Sequence, residues 1–382
     1  SCQTRHMLNR RRSNAIFFFA LAAVGLATAW YFNSIAVMRG ENYITDGFTS
    51  NVDWVYSLDL LIGGTAGMAF IIIEGRRLKM RYLLLYIAAA FVTAFAFVFP
   101  LFLAMRELTL HKRELAGGKI KRYVFDEHNV IVWIPGTVTA TTPVLVMNDG
   151  HNVFDPKTST FGATWGVLEA LQERPVGGPR IQAEQQPLII GVTYKNNDGK
   201  IRGIEYSPTD VIDAHPEILE NFMDGWSHTG PTGNDYHELI ASKILPTIAA
   251  EFGIELKRER TAIGGSSMGS LTSMYAMSKH PDVYGTVLGY STHWPLGGNL
   301  LVDEMTRILP APGSHRIWSD GGTTELDAAY APFQAYFRQT MAAKGYRLGE
   351  DFIETSYPQT GHNELWWAVR VEHPINWWLA GL

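Results

Sequence analysis

The chain has 382 residues, 46% of them hydrophobic and 18% charged, too apolar for a disordered tail and long enough for two folded units. Lysine and arginine number 32 against 37 aspartates and glutamates, a formal net charge of -5, which excludes the basic excess expected of a nucleic-acid binder. The single cysteine, Cys2, excludes an intrachain disulfide, a Cys-ligated zinc site and a cysteine nucleophile in a folded core.

Ser1 to Met7 ends in His-Met, resembles an expression-tag remnant and is set aside with a tail over residues 1–13. Three apolar segments follow: Ala15 to Met38, Leu60 to Ile73 extended upstream through Val55, and Tyr82 to Met105. About 20 apolar residues cross a hydrocarbon core roughly 30 Å thick, so residues 14–106 read as a small bundle of three transmembrane helices. Arg10, Arg11 and Arg12 precede the first segment as in a signal peptide, but no small-residue cleavage site follows, which makes it a retained span. Asp59 interrupts the second and is expected near the interface or in a polar contact between helices, the alternative being an ion or ligand site. Gly63 and Gly67 form a small-xxx-small pattern suited to close helix approach.

Arg10, Arg11 and Arg12, together with Arg76, Arg77, Lys79 and Arg81, mark the cytoplasmic side of an inner or plasma membrane. Three crossings then carry everything after Met105 to the extracytoplasmic, periplasmic face. A second basic group, Arg106, Lys112, Arg113, Lys119, Lys121 and Arg122, pulls the other way.

After a linker over 107–124, residues 125–382 alternate short apolar runs with helix-like stretches, the pattern of an α/β domain. Expected strands are Val130 to Trp133, Val144 to Met147, Leu188 to Val192, Thr261 to Ile263, Gly285 to Leu288 and His315 to Trp318. Expected helices are Trp165 to Gln172, Tyr236 to Phe252, Ser270 to Lys279, Ala328 to Lys344 and a Trp-rich C-terminal segment. The continuous apolarity of Val144 to Met147 and Leu188 to Val192 suits strands covered on both faces.

Gly265-Ser266-Ser267-Met268-Gly269 has Gly-x-Ser-x-Gly spacing between a strand-like and a helix-like segment. A sharp turn there lifts the Ser267 hydroxyl clear of the backbone, and small neighbours let strand and helix pass closely. A serine hydroxyl needs an adjacent base, itself oriented by a carboxylate, and in this arrangement the acid and then the histidine follow downstream. Of His280, His293, His315, His362 and His373, His362 lies in the polar loop Gln359 to Glu364 after the run Phe352 to Tyr357, where a base sits above a sheet. The alternative for His293 is a place lining the site after its own strand. Asp320, Glu325 and Asp327 are the acid candidates, each with a bland alternative as a turn or helix-start residue.

Val144 to Phe154, Arg202-Gly-Ile-Glu-Tyr206, Gly264 to Gly269, Ser291-Thr-His-Trp294 and Gly361 to Glu364 with Trp366 together resemble the putative-esterase family of α/β-hydrolases, which includes enterochelin esterases, feruloyl esterases and mycolyltransferases. The resemblance covers roughly 125–382. It implies Ser267 as nucleophile, His362 as base, and an oxyanion hole from the backbone N–H groups of Met268 and His151. It points to Asp327 as the acid, with Glu325 as the alternative. Residues 14–106 resemble a three-span membrane family of unknown function.

These readings give a membrane-anchored serine carboxylesterase acting through a Ser-His-Asp triad and an acyl-enzyme. The alternatives are an acyltransferase using a sugar or lipid hydroxyl, and an inactive binding or sensory module on a membrane bundle. The expected partner is a small-molecule, lipid or sugar ester. Asp149, Trp294 and Trp165 are candidates to touch it and Trp226, Trp366 and Trp367 to line its pocket, with Trp367 equally a core candidate; Arg202 and Glu205 are read first as shaping a loop through an ion pair and second as substrate contacts. No nucleotide loop, redox motif or established metal-ligand spacing appears, so no cofactor and no metal are expected.

Overall fold

The structure is a computed structural model, and it describes residues 5–78, 80, 82–114, 117–171, 185–220 and 230–382. Two compact units divide the chain, Ser1–Glu114 and Leu115–Leu382.

In the first unit, helix α1 (Arg5–Arg39) is followed by α2 (Asn51–Arg77), which starts at a reciprocal Ser50–Asp53 capping box. Among the described residues these are the two helices long and apolar enough to cross a membrane. The third apolar segment does not form one helix. It breaks at Thr93 and Ala94 into α3 (Leu83–Val92) and α4 (Phe95–Glu114). At about 1.5 Å per residue, α3 and the part of α4 before Arg106 each reach about half the hydrocarbon thickness. The Thr93 hydroxyl donates to the Ala89 carbonyl (2.7 Å) and so satisfies a helix-end acceptor at the break.

Helix α4 runs antiparallel to α1 and parallel to α2. A Cβ on Gly25 would sit 2.2 Å from the Ala96 carbonyl oxygen, and Arg11 Nη1 donates to Glu107 Oε2 at 3.1 Å. Pro100 within α4 lacks the N–H that would have bonded that same Ala96 carbonyl, which leaves it open to the approaching backbone. Arg106 donates to Glu74 (2.7 Å) and Glu107 (2.8 Å), and Arg77 clasps Glu74 through two bonds of 2.6 and 2.7 Å. Hence α1 begins, α2 ends and α4 ends at one pole of this unit. Helices α3 and α4 form a hairpin that leaves the pole and returns to it.

This hairpin packs on only the C-terminal half of α2, which corrects two expectations. Gly67 meets the Phe95 ring, while Gly63 and Gly64 face open space. Asp59 lies exposed on the other half of α2, which removes the alternative of a contact between helices and leaves the interface reading as it was. Lys79 and Arg81 lie outside the described residues.

The second unit holds an eight-stranded sheet in the order β1-β2-β4-β3-β5-β6-β7-β8, built from Lys119–Phe125 (β1), His128–Ile134 (β2), Val144–Asn148 (β3), Leu188–Val192 (β4), Thr261–Ser266 (β5), Thr286–Tyr290 (β6), Arg316–Gly322 (β7) and Phe352–Tyr357 (β8). β1/β2 and β2/β4 pair antiparallel, and the other neighbours pair parallel. Every residue of β3, β4, β5 and β6 is buried, as expected for strands with helices on both faces.

The stretch expected as a linker is helical through Glu114 and becomes the edge strand β1 from Lys119. Its lysines mask an edge in place of an apolar pattern. Lys121 pairs with Glu251, and Tyr123 donates to Glu251 at 2.8 Å. Tyr236 to Phe252 is two helices, Gly233–Leu239 and Leu245–Phe252, joined by a π-turn. The helix expected from Trp165 is a single turn, Val167–Ala170, and Gln172 lies outside the described residues.

The residues that leave the parallel strands at their carboxyl ends share an unusual backbone. Asp149 after β3, Ser267 after β5, Ser291 after β6, Glu325 after β7 and Gln359 after β8 all have positive φ, between 47° and 61°. Such conformations cost about 1–3 kcal/mol each and persist where surrounding structure enforces them. Their gathering at one edge marks where the sheet carries its functional loops.

His237 is fully buried beneath this edge, its Nε2 2.8 Å from Thr272 Oγ1, and burial lowers its pKa from 6.5 to about 3. The folded value lies below the unfolded one, so the native state loses stability as pH falls from about 6.5 toward 3, by up to about 1.4 kcal/mol per pH unit. His237→Gln is expected to flatten the acid limb between pH 6 and 4 in urea unfolding. Limbs of equal slope in both proteins would contradict this.

Candidate active site

Ser267 occupies the turn between β5 and helix α5 (Met268–Lys279), with φ 57° and ψ −122°. Strand and helix cross so tightly that a Cβ on Gly265 would sit 2.8 Å from the Gly269 carbonyl group. Glycine at 265 is therefore a steric requirement of the elbow, and a Cβ on Gly269 would crowd Asp149 Oδ2 at 3.1 Å. Met268 heads α5, and its N–H belongs to the first-turn donors that the helix itself leaves unused. His151 lies in a 3-10 turn (Gly150–Asn152) directly after β3, and its side chain is held by Thr160 (3.1 Å).

His362 precedes helix α7 (Glu364–Ala368), whose N-cap Asn363 accepts from the N–H groups of Leu365 and Trp366 at 3.1 and 3.3 Å. Its Nδ1 lies 2.6 Å from Asp327 Oδ1. The ring is gripped edge-on by Tyr330 and Trp367, each with its centroid 5.1 Å away. Asp327 begins helix α6 (Asp327–Lys344) and is fully buried. Its second oxygen accepts from the Gly322 N–H and the Ser291 hydroxyl, both at 2.6 Å. Burial pushes this carboxyl up, but the hydrogen bonds from His362 and Ser291, the His362 charge and the Gly322 amide together hold it below its ordinary value.

Glu325 supports the same loop from outside. Its carboxylate accepts from the His362 N–H (3.0 Å), Asn363 Nδ2 (3.1 Å) and Trp366 Nε1 (3.4 Å). Beneath Asp327, the fully buried Arg370 donates to Ser291 Oγ (2.6 Å) and Thr360 Oγ1 (2.9 Å), and its Nε lies 3.2 Å from Asp320. Burial raises Asp320 to about 6 against the pull of Arg370.

Several candidates have other surroundings than the sequence suggested. Trp294 is fully buried, tilted against Phe337, with Nε1 donating to Gln334 at 3.1 Å. It belongs to the core, because the turn after β6 directs it under the sheet edge. Trp165 is buried edge-on to Trp367 at 6.1 Å, and Asp149 is buried in a bidentate pair with Arg202, both bonds 2.7 Å. Arg202 and Glu205 do not pair with each other. Glu205 bonds His128 Nε2 (2.9 Å) and accepts from the Lys195 N–H (3.1 Å), so Arg202 and Glu205 of the short helix Gly199–Glu205 each reach a different element. His280 and His315 lie apart from the loop, the first beside Glu238 and the second bonded to the Pro281 carbonyl. Trp226 lies outside the described residues. Tyr330 and Arg370 were not anticipated. Tyr330 stands three positions after Asp327, on the same helical face, which was the available signal.

A mixed, mostly parallel sheet carrying a strained serine at a strand-to-helix elbow defines an α/β-hydrolase domain. Residues 211–373 match the family model described as "Putative esterase". Residues 17–108 match a second model, "Protein of unknown function DUF2834". The iron(III) enterobactin esterase of Escherichia coli O6:H1 is 22% identical over 205 residues, covering 51% of this chain and 47% of that protein. The chain thus spans about half the length of that curated relative. Similar solved structures include an enterobactin esterase from Shigella flexneri (19% identity, TM-score 0.47, 68% of this chain and 59% of that one). The enterobactin hydrolase IroE is another (18%, TM-score 0.48, 69% and 95%). A third is a ferulic acid esterase (15%, TM-score 0.45, 69% and 99%).

Proposed function

We propose that this chain is a membrane-anchored serine hydrolase that cleaves small-molecule carboxylic esters through an acyl-enzyme on Ser267. His362 takes the Ser267 proton as the hydroxyl attacks the ester carbonyl. It returns that proton to the departing alcohol, and water then repeats the sequence on the acyl-enzyme. Asp327 fixes the His362 ring, and the N–H groups of Met268 and His151 receive the developing oxyanion, an effect worth about 3–4 kcal/mol per donor. The observation that carries this reading is the 2.6 Å contact of His362 with a fully buried carboxylate, on loops at the strand edge that also holds the strained Ser267. A fluorophosphonate probe with peptide mapping tests it. The label is expected on Ser267, and folded protein left unlabelled there overturns the reading.

In the proposed membrane arrangement, α1 and α2 cross the bilayer and the α3–α4 hairpin is re-entrant. Arg11, Arg77 and Arg106 meet at one pole, and the remaining basic residues of both loops adjoin it in sequence. That pole belongs in the cytoplasm by the positive-inside rule, and the chain leaves α4 there, so the esterase domain is cytoplasmic. A cysteine placed at Lys157 is expected to resist an impermeant thiol reagent in intact cells and to react after permeabilisation. Labelling in intact cells would reverse the orientation.

A further inference from the structure

We propose that Tyr330 is a further catalytic residue: its phenolic hydroxyl, fixed by His293, donates a hydrogen bond to the ester's alkoxy oxygen as the acyl–oxygen bond breaks. This rests on the acyl-enzyme reading above.

Two hydrogen bonds place that hydroxyl beside the nucleophile's turn. His293 Nδ1 hydrogen-bonds the Tyr330 hydroxyl. The His293 backbone N–H donates to the Ser267 carbonyl at 3.3 Å, so the histidine that holds the phenol is tied to the nucleophile's own turn. The Ser267 side chain is close enough to the phenol to pull the Tyr330 pKa down against the effect of burial. Tyr330 is buried, and its ring stands edge-on to His362 at 5.1 Å and to His293 at 5.5 Å. The phenol therefore occupies the base's side of Ser267. In the acyl-transfer step the base hands its proton to the departing oxygen, so that oxygen must come close to His362 and hence to Tyr330. The backbone donors at Met268 and His151 serve the carbonyl oxygen, which leaves the alkoxy oxygen to be met by a side chain.

The chemistry balances without a second proton transfer. The bond from Ser267 Oγ to the acyl carbon forms and the bond from that carbon to the alkoxy oxygen breaks. The serine proton passes through His362 to the alkoxide, and Tyr330 keeps its own proton while sharing it. With His293 donating from Nδ1, the single phenolic proton stays free to point at Oγ or at the alkoxy oxygen. Burial, the charge of His362 and that of Arg202 lower the His293 pKa to about 4, which keeps this ring neutral and prevents it from competing as a base. Burial also raises the phenol, which matches it to a strongly basic alkoxide rather than to a weakly basic leaving group.

Matched ethyl and 4-nitrophenyl esters of one acyl chain separate this role from a structural one. In Tyr330→Phe, kcat/KM for the ethyl ester is expected to fall at least about tenfold more than for the nitrophenyl ester, whose leaving group departs without a donor. His293→Ala should reproduce that selectivity and His293→Gln, which retains an N–H donor, should restore most of it. Equal losses on both esters, or no loss in Tyr330→Phe, would overturn the proposal. Fluorophosphonate labelling of each variant reports an intact elbow. Ser267→Ala in the same assay distinguishes the two levels: residual turnover of both esters there defeats the acyl-enzyme reading itself, whereas its loss alongside an unselective Tyr330→Phe defeats only the role of Tyr330.

Discussion

Ser267→Ala is expected to lower ester kcat/KM by roughly 10⁴–10⁶-fold, with the thermal unfolding midpoint changed by only a few degrees. The nucleophile is the group for which no neighbour substitutes, and losing it removes the covalent path rather than slowing a step along it. The side chain itself contributes little to packing, because Ser267 is only partly buried at the tip of its turn. Alanine inherits the same positive φ, so the backbone strain remains while its product is lost. Nitrophenyl ester turnover against a calorimetric scan of both proteins checks the pair of outcomes. Turnover within tenfold of the parent, in folded protein, would assign the chemistry to another group.

Asp327→Asn is expected to cost about 10³–10⁴-fold in kcat, while Glu325→Gln costs less than about tenfold. The two carboxylates differ in what they hold. Asp327 accepts from the His362 ring, and an amide there would present an N–H to Nδ1 and favour the wrong tautomer. Glu325 accepts from the backbone N–H of His362 and from Asn363 and Trp366, contacts that shape the loop and that glutamine partly preserves. Asp327→Asn also disturbs the bonds from Gly322 and Ser291, so its melting point should be recorded beside its rate. A larger loss in Glu325→Gln than in Asp327→Asn would make Glu325 the acid.

The second unit was legible in its punctuation. Val144 to Met147 and Leu188 to Val192 announce central strands because both faces are buried, and the Gly-x-Ser-x-Gly run announces the turn between β5 and α5. The strand ends were not legible. β5, β6 and β7 extend two to four residues beyond their apolar runs, through Gly264 to Ser266, Gly289 and Tyr290, and Ser319 to Gly322, because neighbouring strands continue the ladder where side chains give no signal. β1 was missed for a related reason, since an edge strand advertises charge rather than alternation. The third membrane segment failed differently. Hydropathy measures how greasy Tyr82 to Met105 is, but the reversal at Thr93 and Ala94 leaves composition unchanged and is visible only in what Glu74, Arg106 and Glu107 touch. Likewise Trp294 carried no mark that separates a pocket wall from a core plug.

Arg370 has a consequence for the proposed chemistry that goes beyond its hydrogen bonds. Above about pH 6, Asp320 and Asp327 carry two negative charges against the single positive charge of Arg370, all of them shut away from water. The cluster then holds one surplus negative charge at rest, and a proton arriving on His362 during turnover brings the sum to zero. Ion creation in a poorly polarisable surrounding is thereby turned into charge cancellation, with its electrostatic field already in place before any ester arrives.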